Sequence, residues 1–291
     1  MEEGGQIMFY IVVVSYNAGD RLKETLKSIL AQSYEHVRVI VRDAASTDGS
    51  LTEVMPLIRE AGNIRLVSEP DEGIYDAMNR AVQEIPAEQA EGTYVLFLNC
   101  GDLLMDAEVL AKADKRIRAW NRRYAMRTQL SQERFFADIC YGDTFERLSG
   151  QVSKANPRID DFACYRNLPC HQSVFYALPL LREEPFDCRW KVRADYEQFL
   201  RMKYKRHAQT VYLKMTVADY EGGGYSESPE GRKQSEQERR EIIAMYLPKS
   251  KILKYDAYRT ATLQPLREKL SKHPKTAAAY QSLKNRLYSK K

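Results

Sequence analysis

The chain has no apolar run long enough to cross a membrane, for nothing in its 291 residues approaches the roughly 18 consecutive apolar residues such a helix needs. The run Ile7 to Val14 follows acidic residues and precedes no cleavage signature, so it reads as a strand and not as a leader. The expectation is a chain made and kept in the cytoplasm. Cysteine is sparse and unpatterned. Cys100, Cys140, Cys164, Cys170 and Cys188 are odd in number and contain no CxxC pair, which excludes a disulfide framework and a zinc ribbon in favour of reduced, mostly structural thiols. Two glycine signatures are also missing. Neither GxGxxG nor GxxxxGK[ST] occurs, and without them a dehydrogenase or P-loop NTPase reading loses most of its weight.

What is present is ordinary for a globular enzyme: 44% hydrophobic and 29% charged residues, in a chain long enough to bury a sizeable core. The net charge of +5 is unevenly spread. Residues 249–291 hold twelve Lys and Arg against Asp256 and Glu268, leaving 33 basic against 38 acidic residues in 1–248. The expected organisation is therefore a mildly acidic body over 1–248, with halves of about 7–105 and 106–248, followed by a basic helical tail over 249–291.

In the first half, short apolar runs alternate with helical periodicity. Met8–Val14, Val37–Val41, Ile64–Val67 and Tyr94–Leu98 read as buried strands. Between them, Leu22, Leu26, Ile29 and Leu30, and later Ile74, Met78, Ala81, Val82 and Ile85, recur at helical spacing. Asp20 fits the N-cap of the first helix. This alternation predicts an α/β fold with a mostly parallel central sheet, flanked by helices and joined by right-handed crossovers. The second half is less regular. A helix is expected over Asp106–Arg118, strands over Ile139–Phe145 and Val211–Val217, and helices over 193–205 and 230–247, with a Gly-rich turn in YEGGGYSES between the last strand and helix.

Acidic loops close three successive strands: Asp43 with Asp48, Asp71 with Asp76, and Asp102. Each alone reads as a cap or a turn. Together they lie on the edge of a parallel sheet where ligands bind, outside the carboxyl ends of the strands. Carboxylates do not attract a phosphate directly; they hold a hard divalent cation that bridges to phosphates, or accept hydrogen bonds from ribose and base.

Four ordered segments carry a family resemblance: IVVVSYN, VRDAASTDGS, EPDEGIYDAMN and YVLFLNCGD, with weaker echoes in CHQSVFY and RADYEQFLR. In order and spacing they resemble glycosyltransferase family 2, inverting enzymes of the GT-A fold that use nucleotide sugars. GIYDAMN, LNxGD and a later HQ resemble the subgroup that builds bacterial capsule, O-antigen and exopolysaccharide. The resemblance implies that Ser15, Tyr16 and Asn17 line the nucleotide pocket and that Asp43 contacts the base. It implies that Asp71, Asn79 and Asn99 help to hold the nucleotide sugar. Asp102 would lie at a Mg²⁺ or Mn²⁺ ion and the diphosphate, Asp195 would be the catalytic base, and His171 and Gln172 would face the acceptor. From local sequence alone, Asp195 fits a helix N-cap equally well.

Two departures stand out. The family's acidic triplet is reduced to Asn99, Cys100, Gly101 and Asp102, and DDGST is replaced by RDAAST. An inactive nucleotide-sugar-binding or assembly subunit is the alternative reading, against which the retained Asp43, Asp102 and Asp195 argue. The partners implied are a nucleotide-sugar donor and a glycan or lipid-linked glycan acceptor. The tail, with Leu263, Leu266, Leu270, Leu283 and Leu287 among its cations, suits an anionic inner membrane face as well as plain solvent. A nucleic-acid partner is not expected, because the body is net acidic and carries no recognition motif.

Overall fold

A computed structural model describes residues 6–89, 91–129 and 137–261. The expectations for the tail beyond residue 261 lie outside the described residues. Residues up to Arg239 form one compact unit and those from Arg240 a second. Among the described residues, no helix is long and apolar enough to cross a membrane.

In chain order the first half runs β1 (Met8–Ser15), α1 (Asp20–Leu30), β2 (Val37–Asp43), α2 (Ser50–Ala61), β3 (Ile64–Ser68), α3 (Ile74–Gln83) and β4 (Thr93–Phe97). It continues through β5 (Leu103–Leu104), α4 (Val109–Thr128), β6 (Ile139–Glu146), β7 (Gln151–Ser153), α5 (Asp161–Arg166), β8 (Val174–Ala177) and α6 (Leu178–Glu183). The remainder is α7 (Ala194–Lys205), β9 (Thr210–Tyr220), α8 (Pro229–Tyr246) and α9 (Lys249–Ala261).

The apolar runs form strands because they are buried on both faces. Every residue of β4 is buried, and seven of the eight in β1. Strands without a polar face are stable only between covering helices, each such side chain contributing about 1.5–3 kcal/mol on burial. The helices α1 and α2 supply one cover, packing Leu22, Leu26, Ile29, Val54 and Ile58 into the same core as Phe9, Ile11 and Leu96. Two helix starts differ from expectation. Gly19, in the left-handed region at φ 54°, occupies the N-cap of α1, and Asp20 is its first helical residue. α4 begins at Val109 because the Asp106 carboxylate accepts the Glu108 N–H (2.8 Å) and pairs with Lys112 (2.9 Å), holding Asp106 outside the helix.

The sheet order is β3-β2-β1-β4-β8-β6-β9-β5, with β7 added to β6. From β3 to β4 all pairings are parallel, as the alternating pattern predicts. Beyond β4 the sheet is mixed: β8 runs antiparallel to both β4 and β6, while β6 and β9 are parallel. β8 follows no crossover helix after a parallel neighbour, so the second half carried no alternation to read.

One consequence of this order positions the site. β5 begins at Leu103, a few residues after β4 ends at Phe97, yet it pairs with β9 at the far edge of the sheet. The sheet therefore curls until its far edge meets the carboxyl end of β4. The connecting turn, Leu98–Asp102, is thereby enclosed between β4 and the end of β9.

Candidate active site

The turn after β4 is fixed from three sides. Thr25 of α1, fully buried, accepts the Gly101 N–H (3.0 Å) and donates to the Asp102 carbonyl (2.9 Å). Arg147 donates to the Gly101 carbonyl (3.2 Å) while paired with Asp219. Gly101 sits at φ +98°, a backbone conformation that requires glycine, and the Glu221 carboxylate packs against its Cα. The result is that Asp102, only 3% exposed, accepts the Glu221 N–H (2.8 Å) from the strand end across the curl.

Asp102 opens onto a cavity of about 650 Å³, whose lining also includes Asn99, Tyr75, His171, Gln172 and Asp195. Asn99 presents a buried carbonyl oxygen with no hydrogen-bond partner. His171 stacks on Phe97, ring centres 5.2 Å apart, and neither of its buried ring nitrogens has a partner. Burial lowers the His171 pKa below its ordinary 6.5, so the ring is neutral at pH 7, with one N–H to give and one lone pair to receive. Gln172 is held by the Cys170 thiol, which donates to its Oε1 (2.9 Å). Asp195 is the second residue of α7, and its carboxylate accepts from the Tyr75 hydroxyl (3.2 Å).

Thus the cavity brings together Asn99, Asp102, His171, Gln172 and Asp195. Of the residues expected around the nucleotide sugar, Asn99 lines the cavity, Ser15, Tyr16, Asn17 and Asp43 lie outside its lining at the ends of β1 and β2, and Asp71 and Asn79 lie outside it before and on α3. Ser15 and Asp43 are paired in register, and Asp43, 1% exposed, accepts from Ser46 N–H (2.8 Å), Ser46 Oγ (2.5 Å) and Ser68 Oγ (2.7 Å). Asn17, at φ 45°, clips this loop by donating its N–H to Ser46 Oγ (2.8 Å) and accepting the Thr47 N–H (3.0 Å). Tyr16 beside it is 68% exposed, leaving a free aromatic face. Cys100 connects the two groups: Ser15, Asp43 and Asp102 are its polar neighbours, and burial pushes its thiol up to about 12. Asp71 accepts the Gly73 N–H (2.9 Å) in the turn before α3. Asn79 spends its amide on the Phe186 backbone, giving to its carbonyl and accepting its N–H (both 2.9 Å), which ties α3 to the segment before α7.

Several site residues escaped the sequence reading. Tyr75 lies inside the quoted motif GIYDAMN, but nothing local marks its hydroxyl as the partner of a carboxylate 120 residues away. Thr25, Arg147 and Glu221 carry no signal short of the fold: Thr25 reaches the Asp102 turn from α1, and Arg147 and Glu221 reach it through the curl of the sheet.

The residues fit a divalent cation of a particular kind. Among the described residues there is no cluster of three His, Cys, Asp or Glu, so an all-protein cage is excluded there. A buried carboxylate with one oxygen not used by the Glu221 amide, near the unpartnered Asn99 carbonyl, suits an ion that takes most of its ligands from substrate phosphates and water.

An α/β sheet with its ligand edge at the ends of parallel strands and a mixed second half is the GT-A architecture. It matches S. aureus TarS 1-349 in complex with UDP at a TM-score of 0.61 and 18% identity, over 88% of this chain and 72% of that one. It matches the mannosyltransferase PcManGT from Pyrobaculum calidifontis in complex with GDP-Man and Mn²⁺ at 0.61 and 16%, over 99% and 89%. In sequence, residues 10–125 match the model of Glycosyl transferase family 2. A PGL/p-HBAD biosynthesis glycosyltransferase of Mycobacterium bovis is 30% identical over 222 residues, 75% of this chain and 79% of the relative. The chain belongs to glycosyl transferase family 2 and is an enzyme that transfers sugars.

Burial raises the Asp102 pKa from 3.8 to about 6, against the opposing pull of the Glu221 N–H and the Gln172 side chain. A carboxyl whose folded pKa exceeds its unfolded one favours the fold when protonated. That stability is fully present below pH 3.8 and is lost as pH rises through about 6. In metal-free buffer, Asp102→Asn therefore makes the protein more stable than wild type at pH 8, by about 2–3 kcal/mol. The gain shrinks as pH falls through about 6 and approaches zero below 3.8, as urea denaturation at pH 8 and at about pH 3.5 will show. An equal difference at both would contradict the buried-carboxylate assignment.

Proposed function

We propose that the enzyme is an inverting glycosyltransferase that moves a sugar from a nucleotide-diphosphate sugar to a hydroxyl of a glycan or lipid-linked glycan. A UDP-sugar is the default donor, and the setting is bacterial surface polysaccharide or glycolipid synthesis. The observation that carries this reading is one cavity holding Asp102 at the sheet edge and Asp195 at the start of α7. The UDP bound by the structural neighbour TarS and the PGL/p-HBAD biosynthesis in the name of the mycobacterial relative support it.

Transfer with inversion is a single displacement. Asp195 takes the proton of the acceptor hydroxyl as its oxygen attacks the anomeric carbon. The bond from that carbon to the diphosphate oxygen breaks on the opposite face, and the electron pair leaves with the nucleoside diphosphate. Two features of the chain suit Asp195 to this role: its place in the first turn of a helix, where the dipole favours negative charge, and the Tyr75 hydroxyl that orients it. The neutral His171 ring is suited to hold the acceptor hydroxyl without competing for its proton. Asp102, with the Asn99 carbonyl, would hold a Mg²⁺ or Mn²⁺ ion, which supplies Lewis-acid neutralisation of the departing diphosphate when bound. Ser15, Tyr16, Asn17 and Asp43 form the nucleoside end of the donor site.

Asp195→Asn is expected to lower transfer by about 10²- to 10⁴-fold while UDP affinity stays unchanged. Turnover of a UDP-sugar panel beside UDP calorimetry checks both. Wild-type turnover in the variant sinks the base assignment, and UDP binding without turnover in the wild type would make the chain a binding subunit. Attachment of the basic tail to an anionic membrane surface predicts salt-sensitive liposome binding that disappears when residues 249–291 are deleted. Unchanged binding would leave the tail a solvated appendage.

A further inference from the structure

The start of α7 is an unusual place to hold a reactive carboxylate firmly. Its N-cap is Arg193, whose side chain makes no capping hydrogen bond, so nothing on the helix itself fixes how the chain enters it. The fixing comes from α8, more than forty residues later in the chain. Glu238, 7% exposed, accepts three successive backbone N–H groups: Lys191 (3.0 Å), Val192 (3.0 Å) and Arg193 (2.8 Å). Gln234, one helical turn away, donates to the same carboxylate (3.0 Å), and Ser235 accepts from the Arg193 guanidinium (2.8 Å).

Three converging amides form the kind of concavity that binds anions. Here the anion belongs to the chain itself. A buried carboxylate with four donors is a strong fastening, because each charge-assisted bond is about twice as strong as a neutral one and losing the acceptor would strand the buried Val192 N–H and two part-buried ones beside it.

The Val192 peptide is also held at its other end. Tyr75 lies within reach of the Val192 carbonyl (3.0 Å) and of Asp195 Oδ1 (3.2 Å), sharing its one proton between them. Burial first, and the Asp195 charge next, raise the Tyr75 pKa well above 10.0, so the hydroxyl remains a donor at any working pH. The Phe186 ring packs 5.4 Å from Tyr75 and limits its movement. The fastening therefore runs from Glu238 to the Val192 peptide, from that peptide to Tyr75, and from Tyr75 to Asp195.

We propose that Glu238 and Tyr75 are positioning residues for Asp195: Glu238 through the amides of residues 191–193, Tyr75 through the Val192 carbonyl and the carboxylate itself. The inference rests on the reading of Asp195 as the base. It makes α8 part of the catalytic apparatus, although the segment matched by the family model ends at residue 125.

Glu238→Gln, Tyr75→Phe, their combination and Asp195→Asn form the test, with UDP as the binding probe and UDP release from UDP-sugars as the turnover readout. Each single variant is expected to bind UDP within about twofold of wild type and to lose about tenfold or more in kcat, with little change in KM. The double variant should be no slower than the slower single, since both act through one carboxylate. A fall in kcat at unchanged KM and unchanged UDP affinity separates a displaced base from a loosened fold. Wild-type kcat in either single variant, or a loss in kcat/KM carried by KM alone, overturns the proposal while Asp195→Asn remains inactive. An active Asp195→Asn instead overturns the base reading. Should Glu238→Gln fail to fold, Tyr75→Phe decides through the split between kcat and KM.

Discussion

The hydrogen bond from the Glu221 amide to Asp102 closes the structure on itself. It joins the turn after β4 to the strand that ends the chain's excursion through the second half, and it is possible only because the sheet curls to bring β5 and β9 back to that turn. Glycine at 101 is needed for the same closure, and Thr25 and Arg147 hold the turn from opposite sides. The closure carries a cost, because it buries a carboxylate away from water. The raised pKa of Asp102 expresses that cost, which a cation or a substrate phosphate bridge would relieve.

Seen from this turn, the two halves of the first compact unit have different duties. The parallel half places Ser15, Asp43 and the 99–102 turn along one edge through register alone. The mixed half adds what the edge lacks: a neutral histidine on an aromatic floor, and a second carboxylate at the mouth of a helix. Asn79 and Tyr75, both on α3, reach across to residues 186, 192 and 195, so a single helix links the parallel half to the segment that carries Asp195.

The first half was legible in the sequence because strands buried on both faces read as unbroken apolar runs and their helices read at a 3.6-residue period. β1, β2, β3 and β4 all fall within two residues of their expected bounds. β8 was not legible as a strand. Val174–Ala177 is four residues long, follows a single 3₁₀ turn, and pairs through contacts that no local pattern specifies. The candidate site shows the same division. Asp102, Asn99 and Asp195 stand in readable motifs, and the cavity gathers them with His171 and Gln172. Tyr75 and Glu238 act through backbone groups far away in sequence, and a hydrogen bond to a peptide N–H leaves no trace in residue type.

The central claim is that one donor binds with its diphosphate at Asp102 and its nucleoside at the ends of β1 and β2. A crystal structure with UDP and Mn²⁺, using the anomalous signal of the metal, tests it most directly. The account predicts manganese bridging the Asp102 carboxylate and the diphosphate, with uracil beside Asp43 and Tyr16. UDP seated elsewhere, or a metal with no contact to Asp102, would contradict it.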